Sequence, residues 1–281
     1  MTSHSSRIVL AGVILVLASG LGSAQSTGQQ QSAADLAKTV IYNELHPSSV
    51  SDVHWKYRLE KTSDGKQETR EVVETKSGSI DKLLLVAGRR LTGAQERDEA
   101  QRVLHFSQSP EQQRKAEQAR RKDAEQCNSL MQMIPNAFIF EYAAQEGDLA
   151  KITFKPNPRF QPPSREGKVL QQMAGEMWVN PNQKRLVSIN GQLMNEVKFG
   201  GGLLGHLEKG GQFTVKRAEV AAGDWEVTEL NVNMHGKALL LKSISVQQKE
   251  VHSNFERVPE DLTLADAANL LLKQTLVAEK Q

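Results

Sequence analysis

Residues 138–154 read FIFEYAAQEGDLAKITF, and this stretch decides the fold. Phe138, Phe140 and Tyr142 alternate with Ile139 and Glu141; after Gly147-Asp148 the alternation resumes in Ala150, Ile152 and Phe154. A period of two places alternate side chains on one face of a strand, and so short a link forces the second strand to run back along the first. The same design recurs downstream. Met177 to Asn180 and Arg185 to Asn190 are joined by Pro181-Asn182, and Gln212 to Val220 and Trp225 to Met234 by Ala222-Gly223-Asp224. His235-Gly236-Lys237 then reads as a turn into Ala238 to Gln248. Upstream, Val53, Trp55, Tyr57 and Leu59 alternate with His54, Lys56, Arg58 and Glu60, and Ser63-Asp64-Gly65-Lys66 turns into a polar return strand, Gln67 to Thr75, before a third at Lys82 to Ala87. The spacing predicts a meandering antiparallel sheet of nine or ten strands.

Three regions change period. Ser32 with Asp35 opens a helix whose Leu36, Ala37, Val40, Ile41 and Leu45 share a face, and His46-Pro47 stops it. From Thr92 to Ile134 the charge density rises and two helices are expected, one started by the Thr92/Gln95 capping box and one by Ser109-Pro110-Glu111. In the second, Glu111 faces Lys115 and Glu117 faces Arg121, while Ala116, Ala119, Cys127, Leu130, Met131 and Ile134 form a narrow apolar stripe in which Cys127 reads as a small core residue. Thr263 with Asp266 caps a last helix carrying Leu264, Ala267, Ala268, Leu271 and Leu272. A wide antiparallel sheet has a face to hide, and these helices are its available cover. The fold class that follows is α+β: one domain over residues 32–281, a large curved antiparallel sheet forming an open or half barrel around amphipathic helices, with a charged helical insertion at about 92–134.

Composition narrows the function. With 281 residues, 35 Lys and Arg against 33 Asp and Glu, and one cysteine, the chain holds no internal disulfide framework and lacks the basic excess of a nucleic-acid binder. Arg114, Lys115, Arg120, Arg121 and Lys122 are nearly cancelled by Glu111, Glu117, Asp123 and Glu125, so they read as a solvated helix face. Residues 1–24 read as a signal peptide: Arg7, the fifteen-residue apolar run Ile8 to Gly22, then small residues Gly22-Ser23-Ala24, with Leu21 where a lipidated cysteine would stand. An uncleaved membrane anchor is the alternative. Residues 25–31 read as a flexible Gln/Ser/Gly tether, and the mature product as periplasmic or secreted.

Catalytic motifs do not survive their context. Gly200-Gly201-Gly202-Leu203-Leu204-Gly205 spells a dinucleotide fingerprint, but Gly210-Gly211 interrupts the helix that a pyrophosphate needs, so the stretch reads as a mobile lid loop. Ser63-Asp64-Gly65-Lys66 spells an acylase motif, yet Asp-Gly demands a tight turn. The histidines beyond the leader show no metal-ligand spacing, and no cofactor is expected. Lys155 to Pro163 holds four of the nine prolines and reads as a rigid crossing able to present Arg159 and Phe160.

Several segments carry a resemblance: Pro135-Asn136-Ala137-Phe138, Phe154-Lys155-Pro156-Asn157-Pro158, Gly175-Glu176-Met177-Trp178-Val179-Asn180, Phe199 to Gly205, and Gly223-Asp224-Trp225. Together they look like a group of uncharacterised exported bacterial proteins over about residues 50–275. More remotely the helix-then-sheet layout resembles the outer-membrane lipoprotein carrier class, LolA and its relatives, in which a curved sheet wraps helices around an apolar cavity. The resemblance implies a non-enzymatic binder of an apolar small molecule, lipid or lipoprotein; aromatic alternation on strands supplies rigid apolar surface and makes Trp55, Tyr57, Phe138, Phe140, Trp178 and Trp225 candidate lining residues of the concave face. The other readings are an envelope sensor bound to a membrane-protein partner, and a secreted hydrolase with a site assembled from distant residues.

Overall fold

The computed structural model describes residues 31–46, 53–202, 204–238 and 242–278. The signal peptide, residues 25–30 of the tether, Pro47 and Leu203 of the lid loop lie outside them. Ser32 caps helix α1 (Ala33–Leu45) by accepting the Asp35 N–H at 3.1 Å. Strands β1 (His54–Ser63), β2 (Lys66–Thr75), β3 (Gly78–Val86) and the two-residue β4 (Arg89–Arg90) form a first meander. Helices α2 (Gly93–Gln108) and α3 (Pro110–Ala137) carry the chain to a second: β5 (Phe138–Glu146), β6 (Leu149–Pro156), the short helix α4 (Arg165–Leu170), β7 (Met173–Asn180) and β8 (Arg185–Leu193). Two three-residue strands, β9 (Val197–Phe199) and β10 (Gly205–Leu207), precede the long strands β11 (Gln212–Ala221), β12 (Asp224–Ala238) and β13 (Lys242–Val258), and helix α5 (Leu264–Ala278) ends the described chain.

All thirteen strands belong to one antiparallel sheet in the order β4-β3-β2-β1-β13-β12-β11-β8-β7-β6-β5, with β9 and β10 attached beside β12. The sheet does not close into a barrel. Its centre is made last in sequence: β13 pairs with β1, so the two meanders are joined only when the C-terminal strands enter between them.

Cross-strand partners share a face, and the register separates the core into two clusters. Along one face run Ile152, Met177, Ile189, Val215, Leu230, Glu250 and Lys61, each paired with the next. Leu36 and Val40 of α1 and Leu170 of α4 pack here with Phe138, Phe140, Phe154, Met177 and Leu193. On β1, Lys56 alternates with Tyr57, Leu59 and Lys61 and therefore points the other way; its partner is Val73. Val73 and Ile80 pack under Leu264, Ala267, Ala268 and Leu271 of α5, with Val103 of α2. The C-terminal helix thus covers the face opposite to α1, rather than sharing one concavity with it.

Other expectations change as well. The strand count rises because β4, β9 and β10 are too short to show a period. His235-Gly236-Lys237, expected as a turn, lies inside β12 and pairs with β10; a Cβ on Gly236 would run into the carbonyl oxygen of His206, so the glycine serves close backbone approach. The third strand starts at Gly78, four residues early. Helix α3 continues through Pro135 to Ala137, and α4 was not anticipated after the prolines, although Ser164 caps it. Glu117 pairs with Arg120 instead of Arg121, which pairs with Glu125, while Glu111 and Lys115 meet at 2.7 Å as expected. Cys127 is exposed. Between Arg114 and Ser129 every residue of α3 is exposed, although the Arg120 guanidinium lies over Gly78 at the start of β3.

Candidate functional site

The middle strands present a two-sided floor between the two clusters. On the α1 side, Ile189, Val215 and Leu230 form one row and Phe213 and Val232 another, and all five are only half-buried. Next to them, Phe154, Gly175, Gly191 and Phe213 are successive partners across four strands. A Cβ on Gly175 would lie 2.7 Å from the Phe154 ring, and one on Gly191 would overlap the Phe213 ring. Two aromatic rings therefore fold over two bare glycines, which flattens this part of the floor.

A polar belt crosses one end of the same face. Glu44, at the end of α1, is ion-paired with Arg217 of β11, accepts the Leu186 N–H of β8 at 3.1 Å, and has Arg185 at 4.0 Å; its side chain is 5% exposed. Farther along, the Trp55 indole hydrogen-bonds Glu226, and the Trp55 main-chain N–H donates to Glu74 at 3.2 Å. Burial pushes both carboxyls above the ordinary range; the Glu226 charge adds to the Glu74 shift, and the Asp224 charge adds to that of Glu226. Tyr57 stacks on His252, with centroids 5.1 Å apart, and on Phe255 at 5.3 Å. Burial pushes the Tyr57 phenol up, with Glu74 next in effect. Glu250 shifts the other way: the His252 ring 3.6 Å away and the Lys61 ammonium at 2.8 Å hold it down to about 2, against the opposing effect of burial. These groups can orient a polar head or exchange protons. Among the described residues no group of His, Cys, Asp and Glu is arranged to hold a metal.

The six aromatic residues read from sequence fall in separate places. Trp55 is buried and meets Phe255 edge-on at 6.0 Å, with Tyr57 beside the same ring. Phe138 and Phe140 pack against Phe154 in the α1 cluster. Trp178, half-buried, alternates with Met177 and Val179 and so faces away from that cluster, with the Lys151 ammonium 5.5 Å from its ring centroid. Trp225 is half-buried at the start of β12. Of the lid loop, Gly200, Gly201 and Gly202 make a 3-10 turn, Leu204 is exposed and Gly205 starts β10, so the stretch is the tip of the β9–β10 hairpin. No helix follows it.

Glu44, Arg217, Glu226 and His252 were not singled out from the sequence. They come from α1, β11, β12 and β13, far apart in the chain, and nothing local marks them. Searches against protein-family models and against curated proteins found no match for this chain.

Proposed function

We propose that the chain is a non-enzymatic binding protein for an apolar ligand, an acyl chain or lipid, acting after export. The observation that carries this reading is the pair of half-buried apolar rows, Ile189-Val215-Leu230 and Phe213-Val232: Ile189 and Phe213 pack against the rim of the α1 cluster, and Val215, Leu230 and Val232 belong to neither helix-packed cluster. Each half-buried aliphatic side chain loses about 1 kcal/mol of transfer free energy by staying wet, which an acyl chain would recover. The polar belt supports it, since Arg217, Glu226 and Tyr57 stand at one end of the rows, where a polar head group would sit. Titration with a fluorescent stearate analogue tests the reading: the protein binds it with a Kd on the order of 10 µM or tighter, and Leu230→Glu weakens binding about tenfold or more by placing a charge on the floor. Absence of saturable binding overturns it.

A second reading, a hydrolase, draws on the neighbouring raised carboxyls of Glu74 and Glu226 near His252. Against it, both carboxyls are engaged by Trp55. Hydrolysis of ester or glycoside model substrates that disappears in Glu226→Gln favours it over the first.

A further inference from the structure

The sheet face turned away from α1 carries, on the middle strands, two parallel rows of uncharged hydrogen-bonding side chains. Gln192, Gln212, Asn233 and Gln247 are successive register partners across β8, β11, β12 and β13. Two residues along the strands, Asn190, Thr214 and Asn231 form a second row, which ends on Lys249 and then Thr62 of β1. Partners on adjacent strands lie side by side, so this second row spans about 19 Å at about 4.8 Å per strand. Among the described residues, none of these amide or hydroxyl side chains has a hydrogen-bond partner within the chain. The surface dips into two adjoining hollows of about 270 and 530 Å3 that share Gln212, Phe213 and Thr214.

The chemistry of the occupant follows from what the rows can and cannot satisfy. Carboxamides donate and accept at once, so they match groups that do the same. An apolar ligand would strand the amides at about 1–3 kcal/mol for each unsatisfied group, and an ionic one would need countercharge. Two of the flanking charges are already neutralised, Lys216 by Glu229 at 2.8 Å and Lys151 by Glu176 at 2.6 Å, which leaves Lys249 as a single cation at the β13 end of the second row. Trp178, on this same face, supplies a ring at the β7 end on which an apolar ring edge can rest. A chain of linked sugars combines hydroxyls with apolar ring edges and carries no charge.

We propose that this face binds an extended, uncharged glycan chain across β8, β11, β12 and β13. The site is on the opposite side of the sheet from the apolar rows and does not depend on them.

Calorimetric titration with chitohexaose, cellohexaose and maltohexaose tests the proposal on the full chain, with backbone amide shifts of β11 and β12 recorded in parallel. At least one hexasaccharide binds with a submillimolar Kd and shifts those amides, and Gln212→Ala combined with Asn231→Ala weakens it about tenfold or more, as removal of two amide partners requires. The same double variant binds the stearate analogue like the wild type, which separates this site from the other face. Failure of all three sugars to bind at millimolar concentration, or binding that survives the double substitution and leaves β11 and β12 unshifted, overturns the proposal.

Discussion

The Glu99 carboxylate accepts the main-chain N–H of Leu83 at 2.6 Å, which makes a helix side chain the partner of an outer sheet strand. Arg102, one turn on, donates to the Asp81 carbonyl at 2.5 Å and to Glu99 at 2.7 Å. Strand β4 pairs with β3 only at Leu85 and Val86, so α2 takes over as the edge partner where β4 stops. Burial would raise the Glu99 carboxyl, but the hydrogen bonds from Arg102 and Leu83 outweigh it and hold it low. An uncovered edge pairs with other chains. Glu99→Ala therefore destabilises by about 2 kcal/mol by stranding the Leu83 donor and removing one of the two carboxylates that Arg102 meets, and promotes self-association. Urea unfolding and light scattering at increasing concentration read the two effects separately.

Glu44 and Arg217 tie α1 to β11 in a nearly dry setting. Removing one partner of a buried ion pair leaves the other charge uncompensated, so Glu44→Ala costs about 3 kcal/mol. The double variant Glu44→Ala/Arg217→Met recovers much of the loss, because the charge is gone along with its partner. A double-mutant cycle in urea measures the coupling.

Acid stability depends on Glu250. A carboxylate held below its ordinary value stabilises the fold above about pH 4.5, and that stability is lost as pH falls toward about 2. Glu250→Gln flattens this acid limb and lowers stability at pH 7 by about 1 kcal/mol once solvent screening is allowed for.

Glu226 carries the opposite sign. Its raised carboxyl costs nothing below the ordinary carboxylate range and penalises the fold as pH rises through its folded value. Glu226→Gln therefore stabilises at pH 7 and is neutral near pH 4, by about 1 kcal/mol at most given partial solvent access. Unfolding curves at the two pH values show whether the difference appears.

The paired glycines admit no side chain. Gly175→Ala places a methyl against the Phe154 ring and the Asn190 carbonyl, and costs about 2 kcal/mol or more through strain. Thermal unfolding compared with a control Gly93→Ala, where a Cβ meets only the Arg97 guanidinium at 3.8 Å and no positive φ is involved, isolates the packing cost.

Cys127, exposed on α3, reacts with a thiol reagent in the native protein as fast as in the unfolded one. Cys127→Ser leaves stability within about 0.5 kcal/mol. Protection of the thiol would contradict its placement.

Sequence period located the long strands well. Phe138/Phe140 and Ala150/Ile152/Phe154 alternate because their sheet has one face packed and one wet, and that contrast is written residue by residue. The capping residues Ser32, Thr92 and Ser109 were equally legible, since a cap is made within four residues. Cys127 misled because α3 has a stripe that looks apolar but packs only from Leu130 onward. Gly236 misled because a glycine needed for close approach reads the same as one needed for a turn.

What the amino-acid order determined by itself was local: which segments extend, which coil, where each begins, and that neighbouring strands run antiparallel across short links. Only the tertiary structure decided that β13 lies against β1, that α5 covers the face opposite to α1, and that Glu44, Arg217, Glu226 and His252 share one belt. The physical reason is range. Period and capping arise from interactions a few residues apart, whereas strand order and face assignment depend on pairings between residues up to about two hundred positions apart, whose register is fixed by burial summed over the whole sheet.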